Sequence, residues 1–447
     1  MDKTQDLIYV DPLVLEKWNC AVPRYTSYPT APQFQSMGPE TYIQHIERFD
    51  QTAKKPLSLY IHIPFCKSMC LFCGCSVVLN RSPERQTRYL QHLHMEIEKI
   101  ASYFSQKRTV TQLHFGGGTP TSLSIEELKK LMEHIRAHFV FSKEAEISIE
   151  IDPRTVFADQ GDKLCAIKEF GFTRVSFGVQ DLDPLVQEAV RRRQSEEMTV
   201  STFFKAKELG FEGINIDLIY GLPHQSVKSF AKTAERLIEL KPDRIAFYSY
   251  ASVPWLKKHQ RAIPDETLPK VSEKFQIYVD ARRKFMEGGY IAIGMDHFSL
   301  PTDAIAVAYQ QRQLTRNFQG YSIAKAEDMI GFGLTSIGFL ENGYFQNEKE
   351  LEIYQQKGAA KQLPISKGYV LNADDILRRN IILSLMCHFE VDEAFAPLGV
   401  IDPLLEEGFL EIKDKKLIAT PLGRLFIRNI AAAFDAYLKK GQFSRAV

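Results

Sequence analysis

The sequence predicts an α/β protein, a partial β/α barrel followed by a smaller and mainly helical domain. Two observations predict the barrel. Strand-like and helix-like stretches alternate from about residue 57, and polar or glycine residues recur where the strands end. Such alternation produces parallel strands, and barrels of this kind carry their active sites at the carboxyl ends of the strands. The alternation breaks after residue 300, which indicates a further structural region.

Seven stretches have the composition and length of strands. The first, LSLYIHI, alternates apolar and polar residues and ends at Pro64, before a cysteine-rich loop. The strands are predicted at residues 57–63, 109–115, 145–151, 173–179, 213–219, 243–250 and 290–296. Seven strands suit a partial or a closed barrel, so their number leaves closure open.

Helix-period stretches lie between these strands. One covers residues 82–100, and another follows Ser124, with Glu127 three residues on as a capping box. From about residue 371 we expect helices, a hairpin at 408–420 and a last helix at 423–440, a winged-helix-like arrangement. The predicted division is therefore an N-terminal segment (1–56), a barrel domain (57–370) and a C-terminal helical domain (371–447).

The composition excludes several classes of protein. The chain has 447 residues, 45% of them hydrophobic, and a net charge of +1. No long block of like charge favours nucleic acid or an anionic membrane, and no apolar stretch approaches the length of a membrane span. The N-terminus lacks a secretory apolar segment, so we expect a soluble cytoplasmic protein. The chain has seven cysteines, four of them clustered, which favours metal or redox chemistry over a disulfide scaffold.

Four cysteines lie within ten residues: Cys66, Cys70, Cys73 and Cys75. Zinc sites usually pair their cysteines as C-x2-C with a second pair downstream, and no second pair follows here. Iron–sulfur clusters take thiolates from short loops of this kind. Three thiolates on a four-iron cluster would leave one iron open to a chelating ligand. A structural zinc or free thiols remain the alternative at this point.

The ends of the following strands carry further candidates. Gly116, Gly117 and Gly118 form either a simple turn or a place where the backbone approaches a polar ligand closely. Glu150 points away from its apolar neighbours in the strand, and a buried carboxylate needs partners such as ribose hydroxyls. Gln180 and Asp217 hold similar positions, for which frayed strand ends are the alternative.

A short basic run, Arg191–Arg193, is either a solvated helix face or a clamp for a carboxylate.

The C-x3-C-x2-C spacing after the first strand is similar to the signature of the radical S-adenosylmethionine (SAM) superfamily. That resemblance implies a 4Fe-4S cluster whose open iron is chelated by SAM. One electron from the cluster then cleaves SAM to methionine and a 5′-deoxyadenosyl radical. Phe72, an aromatic residue before the third cysteine, strengthens the match.

Nine segments together resemble the family of oxygen-independent coproporphyrinogen III oxidases. The resemblance implies that two propionates of coproporphyrinogen III become vinyl groups with loss of carbon dioxide, giving protoporphyrinogen IX in heme biosynthesis. The matching segments are PRYTSYPT (23–30), YIHIPFC-x3-C-x2-CGC (60–75), HFGGGTPT (114–121), EISIEIDPR (146–154), FGVQD (177–181), NIDLIYGLP (215–223), GMDHF (294–298), RNFQGY (316–321) and GRLFIRNI (423–430).

The family's site residues carry over onto matching positions. Cys66, Cys70 and Cys73 would bind the cluster, whereas Cys75 matches a cysteine that does not bind iron. The resemblance implies two SAM molecules. The first would contact Tyr60, Gly117, Glu150 and Ile337. The second would contact Phe72, Gly118, Thr119, Gln180, Arg192, Asp217 and Ala251.

The four propionates of the substrate predict arginines in its pocket. Arg24 and Arg316 are the candidates, with the N-terminal segment covering the pocket. Tyr25 and Tyr28 would lie on the macrocycle or pack in the core. After GMDHF the chain departs from the family pattern at Leu300 and Thr302, which puts a contact near the substrate in doubt.

Two related classes are the alternatives, a heme chaperone and a heme-degrading radical SAM methyltransferase. Both share the barrel, but they generally lack the PRYTSYPT segment, and the chaperones also lack the CGC ending. The expected partners are coproporphyrinogen III, an electron donor such as flavodoxin or ferredoxin, and an electron acceptor of unknown identity. We expect a monomer that binds neither nucleic acid nor membrane.

Overall fold

The computed structural model describes residues 10–52, 55–80, 82–323, 327–396, 399–438 and 443–446. Residues 1–9 of the predicted N-terminal segment and residues 439–440 of the predicted last helix lie outside the described residues. The described N-terminal part forms α1 (Pro12–Trp18), β1 (Gln35–Ser36) and α2 (Pro39–Gln51). None of the helices described is long and apolar enough to cross a membrane.

Residues 57–287 alternate strands and helices as the sequence predicts, and the capping box of Ser124 and Glu127 is present at the start of α4. The elements are β2 (Leu57–Ile63), β3 (Phe65–Cys66), β4 (Val78–Leu79), α3 (Pro83–Ala101), β5 (Thr109–Gly117), α4 (Ile125–His138), β6 (Val140–Ile151), α5 (Pro153–Val156), α6 (Asp162–Glu169), β7 (Arg174–Gln180), α7 (Pro184–Ala189), α8 (Glu196–Glu208), β8 (Gly213–Tyr220), α9 (Val227–Leu240), β9 (Arg244–Ser249) and α10 (Val271–Glu287).

After residue 290 short strands replace the alternation. The elements there are β10 (Ile291–Ile293), β11 (His297–Ser299), α11 (Ala304–Gln310), β12 (Leu314–Asn317), β13 (Gly320–Ile323), β14 (Met329–Phe332), β15 (Ile337–Leu340), β16 (Gly343–Asn347), α12 (Leu351–Ala359) and β17 (Ile365–Val370).

Seven neighbouring parallel strands form the centre of a 13-stranded sheet, in the order β14-β2-β5-β6-β7-β8-β9. On one side β15, β16, β17 and β1 extend the sheet, and on the other side β11 and β10 do so, all by antiparallel pairing. Among the described residues no strand pairing closes the sheet, so the predicted partial barrel is confirmed.

The predicted strand at 290–296 is wrong, because a hairpin occupies this stretch. The chain reverses at Gly294, whose φ is +59°, and β11 then pairs antiparallel with both β10 and β9. A Cβ atom on Gly294 would lie 1.9 Å from the ring of Tyr321, so the turn depends on a residue that is distant in sequence. The seventh parallel strand is β14, which is buried along its whole length and therefore lacks an alternating pattern.

Side chains alternate along the central strands between the helices and the barrel interior. Ile149 and Ile151 of β6 are 0% and 2% exposed, whereas Glu150 between them is half-buried. In β8, Ile216 and Leu218 are fully buried on either side of the half-buried Asp217. The apolar side chains form the core with the surrounding helices, and the polar side chains are left to the barrel interior.

A buried ion cluster lies at the amino end of the barrel. Asp303 accepts hydrogen bonds from Arg174 Nη2 and from Arg244 Nε, each at 2.6 Å. Leu300 precedes this cluster, and its amide donates to the Asp243 carbonyl, just before β9 begins. The departures at Leu300 and Thr302 therefore lie at the opposite end of β9 from the barrel mouth.

The C-terminal region contains α13 (Ala373–His388), β18 (Glu390–Asp392), α14 (Asp402–Glu406), β19 (Leu410–Lys413), β20 (Lys416–Ala419), α15 (Pro421–Leu425) and α16 (Ile427–Ala432). The predicted hairpin is β19 and β20, to which β18 adds a third strand. The prediction of one last helix at 423–440 is wrong. Phe426 leaves helical geometry between α15 and α16, and its buried ring stacks on Phe409 with centroids 4.6 Å apart.

Candidate active site

A cavity of about 500 Å³ opens at the carboxyl ends of the parallel strands. Twelve of the fourteen residues predicted for cluster or cofactor binding line this cavity. They are Cys66, Cys70, Phe72, Cys73, Gly117, Gly118, Thr119, Glu150, Gln180, Arg192, Asp217 and Ala251. Residues from seven separate stretches of the chain thus meet around one space, as parallel strand ends require.

The cysteine loop leaves the barrel after β2 and is fixed at its base by backbone hydrogen bonds. The Val78 amide donates to the Pro64 carbonyl at 2.7 Å, and Asn80 donates to the Cys66 carbonyl at 3.0 Å. The Cys66 thiol lies 3.3 Å from the Thr119 hydroxyl. A hydrogen bond from Cys75 lowers the pKa of Cys73 below its usual value, so the fourth cysteine supports a thiolate at the third.

A segment after β9 holds the outer side of the same loop. Lys257 Nζ donates to the Cys75 carbonyl and Gln260 Nε2 to the Phe72 carbonyl, at 2.8 and 2.9 Å. His259 Nε2 lies 2.8 Å from the Cys73 carbonyl. Nothing in the sequence around residues 257–260 signals these contacts, and they were not predicted. They fix the backbone of the cysteine loop without occupying its thiols.

The glycine run at the end of β5 is required by close contacts. Gly117 has a φ of +118°, which disfavours any other residue. A Cβ atom on Gly118 would lie 2.5 Å from the Pro64 carbonyl oxygen and 3.0 Å from the Cys66 sulfur. The glycines therefore let the end of β5 pass directly beside the first cysteine.

Two carboxylates face the cavity from β6 and β8. Glu150 Oε2 accepts from the Gly117 amide at 3.1 Å, and the Glu150 side chain remains 42% exposed. Asp217 accepts from the Ser176 hydroxyl at 3.1 Å and from Asn215 Nδ2 at 2.8 Å. Burial, together with the charge of Glu150, raises the pKa of Asp217 to about 7. The cavity wall therefore offers acceptors that ribose hydroxyls or an ammonium group could satisfy.

Two arginines stand beside Cys70. Arg154 Nη2 and Arg192 Nη1 lie 3.8 and 3.6 Å from the Cys70 sulfur, and both guanidinium groups share the carboxylate of Asp152. Arg192 Nη2 also donates to the Gly178 carbonyl at 2.6 Å. The buried Arg192 Nε has no partner among the described residues. Asp152 and Arg154 were not singled out from the sequence, although both follow Glu150 directly in EIDPR.

Four predicted residues lie outside this cavity. Tyr60 lies in β2, its hydroxyl 2.9 Å from His62 Nδ1, and Ile337 begins β15. Arg24 is paired with Asp296, and Arg316 is buried with a side-chain exposure of 2%, its Nε donating to the Arg24 carbonyl at 3.3 Å.

Tyr25 and Tyr28, which could have faced the macrocycle, are 2% and 1% exposed and pack in the core.

The donor set fits an iron–sulfur cluster. Three free cysteines line the same cavity, beside cationic side chains that stabilise thiolate charge. In the described part of the chain, no three Cys, His, Asp or Glu side chains are grouped so as to hold a single metal ion. A four-iron cluster takes each thiolate at a different iron, so its ligands stand further apart than those of one zinc. The residues present therefore suit the cluster better than a structural zinc.

Comparisons with known proteins agree with this geometry. Residues 60–237 match the model of the radical SAM superfamily. The oxygen-independent coproporphyrinogen III oxidases of Salmonella typhimurium and of Escherichia coli (strain K12) are each 41% identical to the chain, over 98% of both proteins. The corresponding protein of Synechocystis is 40% identical over 97% of both chains.

The solved structure of coproporphyrinogen III oxidase from Escherichia coli, described as a radical SAM enzyme, superposes with a TM-score of 0.89. It is 41% identical and covers 97% of this chain and 100% of its own. The match extends over nearly the whole length of both chains. The chain belongs to the family of oxygen-independent coproporphyrinogen III oxidases within the radical SAM superfamily.

Proposed function

We propose that this protein is an oxygen-independent coproporphyrinogen III oxidase of heme biosynthesis. It converts two propionates of coproporphyrinogen III into vinyl groups and gives protoporphyrinogen IX. The observation that carries the proposal is the single cavity lined by three cysteine thiols, a glycine strand end and two carboxylates, in a chain 41% identical to such oxidases over 98% of its length.

Cys66, Cys70 and Cys73 hold the cluster in this proposal. When bound, the cluster would supply the electron for the radical chemistry of SAM, which activates a propionate β-carbon. Arg154 and Arg192 offset the negative charge that thiolate ligands bring to the cavity. Cys75 stays outside the cluster and donates its proton toward Cys73.

Two groups of residues, most of them in the cavity wall, bind two SAM molecules in the proposal. Tyr60, Gly117, Glu150 and Ile337 serve the molecule at the cluster. The free part of the Glu150 carboxylate supports this role, since it can accept ribose hydroxyls. The residues of the second molecule are Phe72, Gly118, Thr119, Gln180, Arg192, Asp217 and Ala251.

Arg192 binds the carboxylate of the second SAM, because its buried Nε donor still lacks a partner among the described residues. Asp217 binds an amino or hydroxyl group. Burial disfavours the charged carboxylate and raises its pKa to about 7. A cationic or hydrogen-bonding ligand would stabilise that charge.

Each propionate that becomes a vinyl group loses carbon dioxide, a proton and two electrons. One electron leaves with the hydrogen atom, and the other needs an external acceptor. An electron donor such as flavodoxin or ferredoxin would supply the electrons that the cluster needs. We further propose that the protein works as a cytoplasmic monomer without nucleic acid or membrane, and that the N-terminal segment (1–56) covers the substrate pocket at Arg24 and Arg316.

One experiment tests the function. The protein is purified without oxygen, reconstituted with iron and sulfide, and supplied with SAM, dithionite and coproporphyrinogen III. We expect protoporphyrin fluorescence after oxidation of the product, and none from the Cys70→Ser variant. SAM cleavage without decarboxylation would contradict the proposal. Stoichiometric heme binding without turnover would favour the heme chaperone instead.

A further inference from the structure

A second, smaller pocket lies next to the proposed cofactor cavity and shares Ser249 with it. It measures about 30 Å³, room for a group no larger than a carboxylate. Its walls come from three parts of the chain. Arg24 belongs to the N-terminal segment, Tyr220 and Ser249 end barrel strands β8 and β9, and Arg428 lies in α16. We call this space the junction pocket.

The junction pocket carries more positive than negative charge. Among the lining residues, Arg24 and Arg428 are cationic, and Asp296 is the one carboxylate. Asp296 is already shared by Arg24, by Arg316 at 3.9 Å and by His297 Nδ1 at 2.5 Å. No carboxylate in the described part of the chain lies within ion-pair distance of Arg428.

Lys274 is a further cation, which lies against Tyr220 in the wall of the junction pocket. Its Nζ lies 5.8 Å from the centre of the Tyr220 ring and donates to the Tyr250 carbonyl at 3.1 Å. Its two other hydrogens have no acceptor among the residues that the structure describes. Its aliphatic stem crosses Gly221, where a Cβ atom would lie 2.5 Å from Cε. Within the described residues, Lys274 has no carboxylate partner at ion-pair distance.

The cations at this pocket repel one another. Burial and the charges of Arg428 and Arg24 lower the pKa of Lys274 to about 7. Burial and the charge of Arg24 lower the pKa of Arg428 to about 9. Buried charges in proteins are normally paired, so an uncompensated set of cations around a small pocket calls for an anion.

Arg24 is the cation whose guanidinium can donate hydrogen bonds to a ligand in the pocket. One Nη donates to Asp296, its side chain is 28% exposed, and its guanidinium lies 5.6 Å from the centre of the Tyr248 ring, which lines the larger cavity. The Arg428 guanidinium, by contrast, is occupied by backbone carbonyls, including those of Val22, Pro23 and Arg445. Arg428 contributes charge to the pocket, and Arg24 contributes hydrogen bonds.

We propose that the junction pocket binds one propionate carboxylate of the tetrapyrrole substrate, with Arg24 and the Ser249 hydroxyl as donors and Lys274 and Arg428 supplying positive charge. The proposal rests on the proposed function for the identity of the ligand. Ser249 lines both spaces, so a propionate held in the junction pocket lies next to the proposed cofactor cavity. Lys274 and Arg428 thereby join Arg24 as residues that recognise the substrate's charge.

The test compares the binding of two unreactive ligands, coproporphyrin III and its tetraamide, in which every propionate is neutral. Fluorescence titration measures both affinities on the reconstituted protein without turnover. The Lys274→Met variant keeps the stem on Gly221 and removes the charge. We expect it to bind coproporphyrin III about tenfold more weakly, the size of one charged contact, and the tetraamide as the wild type does. Lys274→Arg should restore the affinity for the acid.

Lys270→Met is the matched control, since Lys270 lies one turn earlier and is exposed. It should bind both ligands normally. Unchanged affinity of the Lys274→Met variant for coproporphyrin III would overturn the proposal. An equal loss for acid and amide would also overturn it, because it would mean a structural role for Lys274. The two proposals fail separately: a wild type that binds coproporphyrin III without oxidase activity refutes only the function.

Discussion

Substitution of Gly118 tests whether the cluster can form only if the end of β5 passes directly beside the cysteine loop. In a Gly118→Ala variant the new Cβ atom would lie 2.5 Å from the Pro64 carbonyl oxygen, 0.9 Å inside the 3.4 Å at which ordinary contact begins. It would also lie 3.0 Å from the Cys66 sulfur. Backbone cannot rotate away as a flexible side chain can, so Pro64 and Cys66 must move together.

Overpacking of this kind costs about 1–3 kcal/mol, which we expect as a loss in the free energy of unfolding of the apoprotein in urea. The larger effect should be on the cluster, since the displaced residue is its first ligand. We expect iron and sulfide per chain, cluster absorbance and SAM cleavage to fall severalfold after anaerobic reconstitution.

Gly74→Ala is the matched control, because Gly74 lies in the same loop between Cys73 and Cys75 and a Cβ atom there meets nothing within 4 Å. This variant should retain its iron and lose no more than about 0.5 kcal/mol of stability. The reasoning is refuted if Gly118→Ala takes up iron and cleaves SAM like the wild type. Equal losses in both variants would also refute it.

Three further predictions concern the loop and two buried acids. Cys70→Ser should lose the cluster absorbance after reconstitution, whereas Cys75→Ser should keep it. Burial raises the pKa of Glu96 to about 7, so the folded protein holds a proton that the unfolded chain, with a pKa near 4.5, releases. Wild-type stability should therefore fall by up to about 3 kcal/mol as the pH rises from about 4.5 to 7, and Glu96→Gln should remove that slope in urea unfolding. Asp303→Asn should cost about 3–5 kcal/mol in the same assay, because two buried arginines lose their shared carboxylate.

Exposed acids serve as controls for the two buried ones. Glu98→Gln, half a turn from Glu96 and exposed, should leave the pH slope in place. Glu188→Gln breaks an exposed ion pair with Arg193 and should leave stability unchanged. A wild type whose stability is flat across the pH range would contradict the raised pKa of Glu96.

Loss of the cluster in Cys75→Ser would show that the ligand assignment is wrong.

The sequence predicted the parts of the fold that depend on local pattern. Alternation of strands and helices between residues 57 and 287 is a local property, and so is the capping box of Ser124. The inward direction of Glu150 and Asp217 follows from the two-residue period of a strand. Because parallel strands end at one edge, candidates predicted at strand ends, such as Cys66, Glu150 and Asp217, meet around one cavity. Ala251 and the grouping around two SAM molecules came from the family resemblance alone.

The errors arose where distant residues decide the structure. The hairpin at 291–299 depends on Tyr321, whose ring occupies the space beside Gly294. Strand β14 is buried on both faces, so it shows no alternation that could identify it. Phe426 interrupts the last helix to stack on Phe409, a contact that no helical period reveals. The loop contacts of Lys257 and His259 likewise join elements about 180 residues apart.

The hydrogen bonds of the Arg428 guanidinium bear on the order in which the parts of the chain fold. Its guanidinium joins the carbonyls of Val22 and Pro23 to those of residues 444–446, across about 400 positions of the chain. During synthesis residues 22–23 emerge long before Arg428, which binds their carbonyls. The barrel strands, which lie between residue 23 and Arg428 in the sequence, can pair in the meantime. The side of the junction pocket that Arg24 forms is therefore the last to be fixed in place. A chain stopped before residue 428 could assemble its cysteine loop and still lack a finished place for the substrate.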